Sequence, residues 1–111
     1  MSTVRVAAVQ AAPVFLDRDA TIDKASSLID RAGEGGADLV VLPESFVPTY
    51  PDWVWRTRPW DQHATALWAR LVDEAVVVGS AATDAIAAAD RRIGLHVSIG
   101  VIDRETHGCS L

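Results

Sequence analysis

The sequence predicts an α/β fold built around a parallel sheet, and three observations predict it. Residues 4–11 and 39–42 are apolar runs of strand length. The stretch between them has helical spacing, so residues 4–42 read as strand, helix, strand: a βαβ unit whose crossover is expected to be right-handed. The run Leu39-Val40-Val41-Leu42 leads straight into Pro43, which cannot donate to a sheet ladder and so ends the strand. Glu44 is thereby left at a strand's carboxyl end, where open α/β sheets carry their ligand sites.

The elements follow in order. Residues 4–11 are apolar except for Arg5 and Gln10, which suits a strand buried on both faces of a parallel sheet. Gln10 and Pro13 end it. Gln10 falls at the same sheet edge as Glu44, and it reads either as a buried amide needing partners or, preferred here, as the cap of a loop. Asp17, Asp19 and Thr21 are N-cap candidates for a first helix, in which Ile22, Ala25, Leu28, Ile29 and Ala32 form the apolar stripe. The glycines of residues 33–36 end that helix. A second helix is expected over residues 63–74, with Ala64, Leu67, Trp68, Leu71 and Val72 as its stripe. Residues 76–79 are either a short strand or an extended connection. A third helix starts at Ser80 or Thr83, runs through alanines to Arg91-Arg92 and is closed by Gly94. Residues 95–102 form a further strand, residues 103–108 a polar turn, and Cys109 opens the next hairpin strand.

Composition narrows the function classes. A chain of 111 residues makes one small domain, and 50% hydrophobic residues exclude a disordered tail. The net charge of −5 and the lack of a basic stripe argue against a nucleic-acid partner. No apolar run reaches membrane-spanning length, and the start lacks a signal peptide's apolar region, so the expected compartment is the cytoplasm and no membrane partner is expected. One cysteine, Cys109, leaves no internal disulfide. His63, His96 and His107 are scattered without metal-ligand spacing, so no metal site is expected.

Glu44 is the candidate for chemistry. A carboxylate at the mouth of a sheet, walled by Phe46 and Tyr50, is placed to have a raised pKa and act as a base. From position alone it reads equally as a helix cap or as the surface partner of an arginine. Beyond it, residues 52–60 hold Trp53, Trp55 and Trp60 with Arg56 and Arg58. That composition is found on binding surfaces and also under long loops as core filler. Trp53 is assigned nearer the pocket, and Trp60 and Trp68 to packing.

The flanking residues decide the reading of Glu44. The string Leu42-Pro43-Glu44-Ser45-Phe46-Val47-Pro48-Thr49-Tyr50-Pro51-Asp52-Trp53-Val54-Trp55 resembles the glutamate motif of the nitrilase, or carbon–nitrogen hydrolase, superfamily, and is most similar to its nitrilase branch. It departs from the family at Thr49, where glycine is usual, and mildly at Leu42. The resemblance covers the whole chain and corresponds to roughly the first third of a nitrilase domain. It implies that residues 1–111 are the amino-terminal part of an α-β-β-α sandwich, truncated before the lysine and cysteine motifs. It further implies a Glu-Lys-Cys mechanism without a cofactor, which turns an organic nitrile into a carboxylic acid and ammonia. Glu44 would be the general base, with Tyr50 and Trp53 beside the substrate. The alternatives within the resemblance are an amidase or N-carbamoyl hydrolase, or a non-catalytic remnant. A small nitrile or amide substrate and a homo-oligomer of the full-length protein are the implied partners. The sole lysine, Lys24, lies on the first helix, before Glu44, and does not match the family's lysine. Cys109 falls in the early hairpin and reads as an ordinary strand residue. Such a fragment lacks the second sheet and would expose an apolar face.

Overall fold

The computed structural model describes residues 2–105 and 108–110. Strands β1 (Val6–Ala8), β2 (Leu39–Val41) and β3 (His96–Ser98) form one parallel sheet in the order β1-β2-β3. Val6 pairs with Leu39 and Leu39 with His96. The α/β class expected from the apolar runs is the observed one. The strands are shorter than those runs because the chain leaves the ladder to build other features. Val9 still donates to Val41 O at 2.8 Å, and beyond it the chain turns out of the sheet. Past Ser98 the third run continues alongside Val47 and Val76 instead of β2, through isolated bridges from Val101 and Asp103.

Helix α1 (Arg18–Glu34) starts at Asp17, the first of the three cap candidates the sequence offers. The Asp17 carboxylate accepts from the Ala20 amide at 3.0 Å, satisfying one of the free donors of a helix start. Helix α2 (Gln62–Glu74) is capped by Asp61, which accepts from His63 and Ala64. Helix α3 (Ala81–Ile93) ends at Gly94, whose φ of 75° is the left-handed closure that glycine adopts without strain. Residues 76–79 are neither strand nor plain extension: Val76 makes a single bridge, and Ser80 N then donates to Val77 O in a turn.

Two apolar clusters result. In the first, α1 and α3 cover one sheet face. Ile22, Ala25 and Ile29 meet Ile86 and Ala89 over Val40, Leu42 and Leu95. The second holds Leu16, Trp53, Ala64, Leu71, Ala75 and Ile102 around α2. The opposite sheet face is open: Val6, Ala8, Val41, His96 and Ser98 are all exposed. Residues 4–11 are thus covered on one side rather than both, because among the described residues only α1 and α3 pack against the sheet. The radius of gyration, 15.3 Å, exceeds the value of about 13 Å for a compact 100-residue domain.

Strands β4 (Asp103–Glu105) and β5 (Gly108–Ser110) form an antiparallel hairpin that pairs Arg104 with Cys109. The expected turn over residues 103–108 is therefore mostly strand, and Cys109 lies in a strand as expected. His107 lies outside the described residues. Among those residues, no helix is long and apolar enough to cross a membrane.

Candidate active site

Glu44 stands on an excursion from the parallel ladder. Leu42 N donates to Ser98 O at 2.8 Å, and the ladder resumes when Val47 N donates to Gly100 O at 3.2 Å and Val47 O accepts from Ile102 N at 2.8 Å. Between these bonds one strand passes only through Ile99, while the other loops out through Pro43, Glu44, Ser45 and Phe46. The surplus length must leave the plane of the sheet, and it carries Glu44 with it. Pro43 suits the departure, since it has no N–H to leave unpaired. Ser45 makes the turn with φ 51°, a left-handed conformation that costs a residue with a Cβ about 1–2 kcal/mol. Ser45 is 1% exposed, and its hydroxyl has no partner among the described residues. The strained position is Ser45 and not Thr49, the departure from the family pattern noted above: Thr49 is buried and is not among the residues of positive φ.

The excursion forms one wall of a cavity of about 400 Å³, within the range of small-molecule sites. Glu44, Phe46 and Tyr50 line it on this side, and residues 11–13 with Phe15 line the other. Asp52 and Arg56, paired at 2.8 Å, complete the rim. Glu44 is exposed rather than sealed by aromatic rings, because the facing wall is a single loop that leaves the cavity open. Gln10 is exposed and is not part of the lining.

Helix α1 fixes that facing loop. The Thr21 hydroxyl accepts from Val14 N at 3.1 Å and donates to Val14 O at 2.9 Å, and Lys24 Nζ donates to Ala12 O at 2.6 Å. Arg70 Nε donates to Leu16 O at 3.3 Å, and the α1 terminus is held by Glu74, which accepts from Arg18 N at 2.8 Å. The sequence offered little sign of this loop. Pro13 and Phe15 follow a strand without a motif, and Lys24 reads as one more polar residue on a solvated helix face.

The structure brings Glu44 and Tyr50 to one cavity. Trp53 stands one layer behind it. The indole is 3% exposed and meets the Phe15 ring edge-on at 6.2 Å and the Trp68 ring at 5.2 Å. Trp60 and Trp68, assigned to packing from sequence, are 96% and 41% exposed. Trp60 takes φ 69° in the turn before the α2 cap, which throws its ring outward. Trp68 reaches the second cluster only by one edge, because Ala64 and Leu71 hold the buried line of α2. Among the described residues no group of three histidine, cysteine or acidic side chains could hold a metal ion.

A parallel α/β sheet that lifts one carboxylate over an aromatic-walled cavity at its strand ends has the layout of an α/β ligand or catalytic site. The chain belongs to the carbon-nitrogen hydrolase family, which residues 5–111 match. It is 39% identical over 102 residues to a protein named nitrilase 2 from an unknown prokaryotic organism, covering 92% of this chain and 32% of the relative. It is 40% identical over 102 residues to a nitrilase of Pseudomonas syringae pv. syringae (strain B728a), covering 91% and 30%. Over 79 residues it is 49% identical to an arylacetonitrilase of Aspergillus oryzae (strain ATCC 42149 / RIB 40), covering 71% and 22%. The chain thus spans about a third or less of the length of these relatives.

Proposed function

We propose that this chain is the amino-terminal part of a nitrilase-type hydrolase that converts an organic nitrile to a carboxylic acid and ammonia, with Glu44 as its general base. The observation that carries the reading is the placement of Glu44, on a raised loop beside Tyr50, in a chain of the carbon-nitrogen hydrolase family. The three relatives above are all named as nitrilases of one kind or another, which favours a nitrile over an amide. The rings of Phe15, Phe46 and Tyr50 around the cavity favour a nitrile that carries an aromatic group.

In this reading the rest of the Glu-Lys-Cys set lies further along the polypeptide. The cysteine adds to the nitrile carbon, and the nitrogen takes up the proton, giving a thioimidate. One water then releases ammonia and leaves an acyl-enzyme, and a second water frees the acid. Glu44 accepts the proton that each attacking group must lose, a role for which an accessible carboxylate facing the cavity is suited. Tyr50 lies along the substrate, while Trp53 supports the site from behind through Phe15. Cys109, in the β4–β5 hairpin, is a strand residue in this scheme.

Glu44→Gln tests the reading in the full-length enzyme, since it keeps size and polarity and removes the base. Ammonia release from arylalkyl nitriles should fall by about a hundredfold or more, with the matched amides turned over far more slowly than the nitriles by the wild-type protein. Near-normal turnover by a folded Glu44→Gln protein would refute the assignment of the base. Faster amide than nitrile turnover by the wild type would shift the reading to an amidase.

A further inference from the structure

Gly100 lies directly beneath the loop that carries Glu44. A Cβ built on it would come within 2.7 Å of both Glu44 Cα and Pro43 O, and closer still to Ser45 N. All three neighbours are backbone atoms, so no side chain can swing away to make room. Gly100 is not among the glycines of positive φ, so it is space and not torsional freedom that the position requires. Gly100 is also the residue on which the ladder restarts, since its carbonyl accepts from Val47 N. The loop is therefore pinned at its far end by Gly100 O and seated at its centre on the Gly100 Cα. Ser45, buried and held at φ 51°, has little freedom to absorb a displacement.

We infer that Gly100 is a positioning residue for Glu44: its missing side chain sets how close the Glu44 backbone sits to the chain leaving β3, and hence where the carboxylate stands in the cavity. Neither its spacing nor its neighbours in sequence suggest this. The inference rests on the proposed role of Glu44, but its structural half can be tested without that role. Any side chain at position 100 must push residues 43–45 away from the sheet, and a displacement of about 1 Å at a reacting group can cost about a hundredfold in rate.

The test uses Gly100→Ala, alone and combined with Glu44→Gln, in the full-length enzyme. The same set is made on a Ser45→Gly background, where the loop has the backbone freedom to step aside and folding is protected. A crystal structure of a folded Gly100→Ala protein should show Glu44 Cα displaced by about 1 Å with α1 and α3 unmoved. In turnover, kcat should fall by about a hundredfold with KM little changed, and the loss should largely vanish once residue 44 is glutamine, because both changes act through one group. Failure of Glu44→Gln to lower turnover would remove the proposed base and leave the structural arm to decide on Gly100 alone. Losses that add to those of Glu44→Gln, an unmoved Glu44 in the crystal, or failure to fold on both backgrounds would each overturn the inference.

Discussion

Replacing Trp53 separates core from cavity. Its indole is 3% exposed and flanked edge-on by Phe15 and Trp68. Truncating a buried aromatic to alanine costs about 3–5 kcal/mol, and each edge-on pair adds about 0.5–1.5 kcal/mol beyond area. Trp53→Ala should therefore fall at the upper end of that range, a large part of a small domain's stability. Trp53→Phe should behave differently. The smaller ring gives up the equivalent of two or three buried methylenes, about 2 kcal/mol in all. It also removes the Nε1 N–H, which is buried without an acceptor among the described residues. An unsatisfied buried donor costs about 1–3 kcal/mol, so the two effects should cancel to within about 1 kcal/mol. Urea unfolding followed by far-ultraviolet circular dichroism avoids the fluorescence change that loss of a tryptophan brings. A phenylalanine variant as unstable as the alanine variant would show that Nε1 is bonded in solution. An alanine variant that loses less than about 1 kcal/mol would take Trp53 out of the core.

Three further outcomes are expected. Tyr50→Phe should alter the ranking of a nitrile panel in the full-length enzyme with little change in melting temperature, because Tyr50 is 41% exposed on the cavity wall; a large loss of stability with unchanged ranking would contradict that placement. Thr21→Val keeps the shape of the residue but leaves Val14 N and O without their hydroxyl partner, so it should cost about 1–3 kcal/mol and speed hydrogen exchange at Val14; unchanged exchange there would show that the clamp is not formed. Residues 1–111 expressed alone should release no ammonia from aromatic or aliphatic nitriles and should associate through the open sheet face, as light scattering would report; a monomer whose turnover is abolished by Cys109→Ala would reverse the reading of that cysteine.

The parts of this fold that were legible in the sequence are those written in local patterns. The stripe of α1, the Asp17 cap, the closure at Gly94 and the strand ending at Pro43 each have a chemical signature a few residues long. The parts that were not legible depend on where separate segments meet. The alternation of Leu95, Val97, Ile99 and Val101 correctly marks the side that packs on the first apolar cluster, yet Ile102, on the other side, is itself buried, at 4%, because it joins the second cluster. Helical spacing puts Trp68 on the stripe of α2 but cannot tell which edge of that stripe the core reaches. Pro43 at the end of an apolar run was enough to put Glu44 at a strand end, where it lines the cavity. Gly100, Thr21 and Lys24, which shape the surroundings of Glu44, belong to other segments and announce nothing by themselves.

The bond from Lys24 to Ala12 has a practical consequence for anyone handling the protein. Lys24 is the only lysine among residues 1–111, so within this stretch it is the one side chain open to reagents that consume primary amines. Acylation removes both the charge and the strong donor of an ammonium group, and here that donor holds a wall of the cavity at 2.6 Å. Biotin esters, amine-reactive dyes and aldehyde-activated supports would thus each modify a tether of the cavity while appearing to tag an indifferent surface. Attachment through an appended tag, or after Lys24→Arg, would leave that wall in place.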